Sequence, residues 1–156
     1  DTGAIFTSEY DNYYLVLSDL RHTSGSAPLY IQFIETGGTV ITGSYGHYSE
    51  QVRLAYSGGS GVNRSGSGAV IETQIVPGTT ADHQGSVRMW VQNPLNGDEH
   101  FIKFEGLFME GGSTAAWSHG AGYRTVNNTI EGLRFSTSSG SFESGVLDIY
   151  GYTIPT

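Results

Sequence analysis

Val87-Arg88-Met89-Trp90-Val91-Gln92 places Val87, Met89 and Val91 on one face and Arg88, Trp90 and Gln92 on the other. A period of two residues is the signature of a half-buried strand. The next residues, Asn93-Pro94-Leu95-Asn96-Gly97-Asp98, are turn formers. Residues 101–108 then resume the alternation through Ile102, Phe104 and Phe108, so strand, turn and strand follow in succession. Working outward, residues 13–20 alternate on Tyr13, Leu15 and Leu17, and residues 29–35 turn Leu29, Ile31 and Phe33 inward. Residues 22–28 between them, rich in Ser, Gly and Pro, read as a hairpin loop. Residues 51–56 and 69–76 read as another pair. Residues 129–136 and 145–152 give two more strands around a loop at 137–144.

Those strands number about eight, with turn formers between them and no sustained 3.6-residue apolar period. The pattern predicts an all-β fold, an antiparallel two-sheet β-sandwich that is jelly-roll-like. The chain has 156 residues, enough for one soluble domain to bury a core without staples. Residues 57–68, a Gly/Ser tract, have the composition of a linker. A linker would leave parts of about 60 and 90 residues, each marginal for a sandwich. The tract therefore reads as an exposed loop within a single domain spanning residues 1–156.

Only 14% of residues are charged and the formal charge is −8. Seven dispersed basic residues argue against nucleic-acid binding, which needs clustered Lys and Arg. The absence of cysteine removes disulfides, thiolate metal sites and cysteine nucleophiles. No apolar run approaches the ~18 residues that span a bilayer, so no membrane insertion is expected. The start, Asp-Thr-Gly-Ala-Ile-Phe, lacks the basic and apolar regions of a signal peptide. A start without Met reads as a fragment or a processed chain.

The histidines, His22, His47, His83, His100 and His119, show no helical i, i+4 pairing and no His-x-His. Asp82-His83 and Asp98-Glu99-His100 read as solvated turns before they read as metal ligands. No cofactor is expected. Gly66-Ser67-Gly68 has no helix after it and makes no nucleophile elbow. Glu72, Asp82, Glu105, Glu110 and Glu131 have no spacing that marks a glycosidase pair. The sequence predicts a module that is not an enzyme.

The aromatics carry more. Ten tyrosines accompany two tryptophans, Trp90 and Trp117. Trp117, His119 and Tyr123 lie in a Gly-rich stretch, residues 115–123, suited to exposing a ring. Tyr45, His47 and Tyr48 lie in another loop-like run, residues 43–49. Such rings either stack on the apolar faces of sugars or fill a core or subunit contact. On the first alternative, Trp117, His119, Tyr123, Tyr45 and Tyr48 are the candidate glycan ligands.

The C-terminal third is distinctive. It runs through Trp117-Ser118-His119-Gly120-Ala121-Gly122-Tyr123, Ile130-Glu131-Gly132-Leu133-Arg134-Phe135 and Ser141-Phe142-Glu143-Ser144-Gly145, ending in Val146-Leu147-Asp148-Ile149-Tyr150-Gly151. This resembles the closing strands of bacteriophage tail-fibre and tailspike C-terminal β-sandwich domains. Tyr13-Tyr14-Leu15-Val16-Leu17 and Leu29-Tyr30-Ile31-Gln32-Phe33 resemble their first two strands. The likeness implies that Phe142 plugs the core, Gly145 permits a tight entry and Tyr150-Gly151 ends the last strand. It implies a virion-surface, extracellular setting, a homo-oligomer, trimeric in that family, and other virion proteins as neighbours. Its partner would be a bacterial surface glycan. A structural virion component without ligand, such as a capsid decoration or fibre-assembly protein, is the alternative. A polysaccharide-degrading enzyme, needing two carboxylates across a groove, is the third reading.

Overall fold

The computed structural model describes residues 1–23, 27–54, 60–77, 79, 85–97, 99–110, 114–125 and 128–153. Their strands are β1 (Asn12–His22), β2 (Leu29–Glu35), β3 (Thr39–Val40), β4 (Tyr45–Leu54), β5 (Ser60–Gly68) and β6 (Ile71–Glu72), followed by β7 (Gly85–Gln92), β8 (His100–Glu110), β9 (Thr114–Arg124), β10 (Ile130–Thr137) and β11 (Phe142–Tyr152). They make a seven-stranded sheet ordered β11-β1-β7-β8-β9-β4-β5 and a four-stranded sheet in which β2 pairs with β10, β3 and β6. All pairings are antiparallel. The two sheets pack together as a β-sandwich. Seven strands over four is a more uneven division than the eight-stranded jelly roll expected.

The alternation that opens the sequence reading is what seals the layer between the sheets. Val87, Met89 and Val91 of β7 are buried beside Leu15 of β1 and Phe104 and Phe108 of β8. Leu29, Ile31 and Phe33 of β2 meet them from the small sheet. One cluster thus draws residues from both sides of the Gly/Ser tract. The first residues of the chain cover β10: Ile5 N–H and Phe6 N–H donate to Glu131 O, and Thr2 N–H donates to Leu133 O. Arg134 pairs with Asp1, whose carboxylate accepts at 2.6 and 2.8 Å.

Several expectations are corrected. Residues 22–28 do not join a hairpin, because β1 and β2 belong to different sheets; residues 24–26 lie outside the described residues. Of residues 57–68, the first three lie outside the described residues and Ser60–Gly68 is an exposed edge strand rather than a loop. Its backbone pairs with β4 along its whole length, and its mostly Gly and Ser sequence supplies no apolar alternation to reveal this. The expected pairing of residues 51–56 with 69–76 is replaced by β4 between β5 and β9, with only Ile71–Glu72 laddered onto β2. Residues 43–49 and 115–123, read as loops, lie largely within β4 and β9. Phe142 does not sit within the core but packs half-buried against its edge: it opens β11, with its ring 5.9 Å from that of His22.

Candidate functional site

β9 explains both the missed strand and the site. Its inward residues are Ala116, Ser118, Gly120, Gly122 and Arg124, while Trp117, Ala121 and Tyr123 face outward. An added Cβ on Gly122 would meet Ile71 Cδ1 at 2.5 Å. The small inner face lets the other sheet approach, and the large rings are left on the outside.

β4 is arranged alike: Tyr45, Ser49 and Gln51 are buried, and Tyr48 is exposed. Buried polar groups need partners, and Gln74 Nε2 donates to Ser49 O at 3.0 Å. Tyr45 is a correction to the candidate set. It is only 1% exposed, accepts from Phe33 N–H at 2.7 Å and donates to Ile41 O at 3.2 Å. Burial pushes its hydroxyl up to about 12. It ties the two sheets together and offers nothing to a ligand.

The other four candidates come together on the outer face of the seven-stranded sheet. Trp117, 39% exposed, stacks on His119 with centroids 4.3 Å apart and planes at 27°. His119 Nε2 lies 3.8 Å from Glu50, while Nδ1 is covered and has no partner among the described residues. The imidazole is thus engaged by its neighbours, and both rings of the pair stay partly open to solvent. Tyr123 lies over Gly46 and stacks against Phe101 at 6.2 Å. Tyr48 stands opposite Ala121 in the ladder.

Register carries the face further across the sheet. Tyr48, Ala121, Lys103, Trp90, Tyr14 and Tyr150 occupy one row. Within it Tyr14 lies 5.2 Å from Trp90 and 6.1 Å from Tyr150, ring to ring. Among the described residues, every exposed large apolar side chain except Tyr10 belongs to this face. Sequence reasoning turned Trp90 outward but missed Phe101, Tyr14, Tyr150 and Tyr152. The strand period alone would have put Phe101 beside Trp90, since both lie opposite the buried positions of their strands.

Among the described residues, hollows on this face include one of about 340 Å³ beside Leu107, Met109 and Ala115 and two among its rings. One, of about 270 Å³, is floored by Ala121 and walled by Trp90, Phe101 and Tyr152, with Gln92 and Lys103 at its rim. The other, of about 180 Å³, lies between Trp117, Leu107 and the Arg88–Glu105 pair, whose closest charged atoms are 3.7 Å apart.

Glu50 and Glu105 flank His119 in register, two strand spacings or roughly 10 Å apart. The His119 ring stands between them, 3.8 Å from Glu50, while Glu105 lies 3.7 Å from Arg88, so they do not face one another across a groove. Of the metal candidates, Asp82, His83 and Asp98 lie outside the described residues, and His100 is buried with Nε2 against Asn128 O. Among the described residues no group of three His, Asp or Glu is placed to hold a metal ion, and no helix is long and apolar enough to cross a membrane.

The sequence matches no family model and no curated protein.

Proposed function

We propose that this chain is a non-catalytic recognition module that attaches to glycan through the outer face of its seven-stranded sheet. In the setting implied by the tail-fibre resemblance, that glycan belongs to a bacterial surface and the module to the outside of a virion. One observation carries the glycan reading: among the described residues, every exposed ring except Tyr10 is gathered on one sheet face. Side chains on a laddered sheet are held by their neighbours, so these rings are presented without loop ordering at the moment of binding. Sugar C–H faces stack on such rings, and the polar groups interleaved with them, Gln92, Lys103, Glu50 and Arg88, suit hydroxyl recognition.

The test is a glycan array probed with the intact chain and with Trp117→Ala. Trp117 contributes little to the core, so the variant keeps the parent's circular dichroism and melting temperature. Binding by the parent with loss in the variant supports the reading. Absence of binding to any glycan overturns it.

A second reading, the structural one, is favoured by the aliphatic members of the face, Leu107 and Val146, which a sugar does not need. Seven strands at about 4.8 Å spacing and eight residues at about 3.3 Å rise give roughly 700 Å² of face. That approaches the ~800 Å² each partner contributes to a stable protein interface. Stable self-association, measured by sedimentation at micromolar chain and abolished by Leu107→Lys, is the result expected on that reading.

A further inference from the structure

The hollow above Ala121 has a chemical bias that its aromatic walls do not explain. Its only charged lining residue is Lys103, the sole lysine in a chain of formal charge −8. The other cations of the surface are spoken for: Arg21 lies near Glu143, Arg64 against Glu72, Arg88 near Glu105 and Arg134 against Asp1; Arg53 is engaged as well, and Arg124 is buried. Lys103 has no carboxylate and no hydrogen-bond partner among the described residues. Its ammonium instead lies 4.8 Å from the centroid of the Trp90 ring. A ring face attracts a cation but accepts from only one side of it, which leaves the remaining N–H donors open to the hollow. The nearest acid on the same strand face, Glu105, is drawn the other way by Arg88.

We infer that this hollow takes a sugar bearing an anionic group, its ring against Trp90, Phe101 and Tyr152 and its anion on Lys103. The inference rests on the glycan reading of the outer face and narrows it to acidic glycans. An anion supplies what the ammonium lacks, a charge-assisted acceptor. A neutral sugar would stack on the same rings and leave unmatched the only open cation of the face among the described residues. Gln92, at the opposite rim, offers an amide donor and acceptor to ring hydroxyls. The carboxylate of a uronic acid and the ester of a sulfated sugar present the same chemistry to Lys103, so both belong in the test.

Both tryptophans of the chain lie on this face, so intrinsic fluorescence reports binding directly. The intact chain is titrated with tetragalacturonate, with its carboxyl-reduced neutral counterpart, and with a sulfated galactan tetrasaccharide, at about 0.1 M and about 1 M salt. One of the two anionic oligomers is expected to bind about tenfold more tightly than the neutral one, the magnitude of a hydrogen bond to a charged group. The preference should shrink at the higher salt. Lys103→Gln should remove the preference while retaining the neutral binding, and Lys103→Arg should restore most of it. Which anionic oligomer wins identifies the source of the charge.

Equal binding of neutral and anionic oligomers, or a preference that survives in Lys103→Gln, overturns the inference and leaves the glycan reading standing. No binding of any of the three, joined to a blank glycan array, removes both. An independent readout uses the single lysine. Acylation of Lys103 by an amine-reactive ester, mapped by peptide mass, is expected to slow in the presence of the bound anionic oligomer. Slowing by the neutral oligomer to the same extent counts against the assignment.

Discussion

β8 and β9 are neighbours of equal length, paired from His100–Arg124 to Glu110–Thr114, and they distribute bulk in opposite ways. β8 puts Ile102, Phe104 and Phe108 inside. β9 puts Ala116, Ser118, Gly120 and Gly122 inside and Trp117 and Tyr123 outside. The first strand is built to hold the sandwich together. The second uses its inner face only to let other elements approach, and so frees its large residues for the surface. Glycine and alanine in a strand interior forgo packing, and two well-packed neighbours make that tolerable. The exposed aromatic face stands where a strand has been excused from building the core.

If that division of labour holds, the largest effect comes from emptying β8. Phe104 is fully buried in the centre of the cluster. Phe104→Ala is expected to cost about 3–5 kcal/mol through lost burial and the cavity left behind, measured as a shift in urea unfolding at constant slope. A cost below about 1 kcal/mol, the range of tolerated core swaps, would mean that β8 is not the load-carrying partner.

The next effect comes from filling β9. A Cβ on Gly120 would lie 2.2 Å from Tyr48 O and 2.6 Å from Phe104 Cζ. The first of these is backbone, so β4 would have to move away from β9. Gly120→Ala is expected to destabilise by about 1–3 kcal/mol, the cost of overpacking, although alanine ordinarily suits a strand better than glycine. The same unfolding measurement checks it, and a neutral or stabilising result would refute the close approach.

The contrast also explains how much could be seen in advance. β2 is legible to the residue, and β7 and β8 nearly so, because their inward positions hold Leu, Ile, Phe, Val and Met. β9, β5 and the first half of β4 are illegible by the same rule. β9 inverts the size pattern, β5 is mostly Gly and Ser, and β4 buries Tyr45, Ser49 and Gln51 through hydrogen bonds and ring packing rather than aliphatic bulk. Partner choice is invisible for another reason: nothing local tells β1 to pair with β11 and β7 rather than with the next strand in the chain. Of the candidate site, Trp117, His119, Tyr123 and Tyr48 share one face although they were expected on loops. Tyr45 failed because a residue three positions from Tyr48 on one strand must point the other way. Lys103 was hidden by its ordinariness, since its meaning depends on which carboxylates lie elsewhere.

The smallest effect tests the same boundary from the inner side. His47 of β4 stands in register between Gly66 of β5 and Gly122 of β9, where small neighbours leave an imidazole partly enclosed. Burial lowers its pKa from the ordinary value of about 6.5, against an opposing pull from Glu72. The unfolded chain therefore binds this proton more readily than the folded one, and stability must fall as the proton is supplied. The contribution is whole above about pH 6.5 and is lost as pH drops from there toward the lower folded value. Urea midpoints taken in steps from about pH 8 to about pH 5 should decline through that window, and His47→Gln should flatten that part of the decline. Stability that rose on acidification, or a slope unchanged in the variant, would mean that the glycines do not enclose His47. The inner edge of β9 would then be as open as its outer face, and the division between a strand that fills the core and one that turns its bulk outward would lose its physical basis.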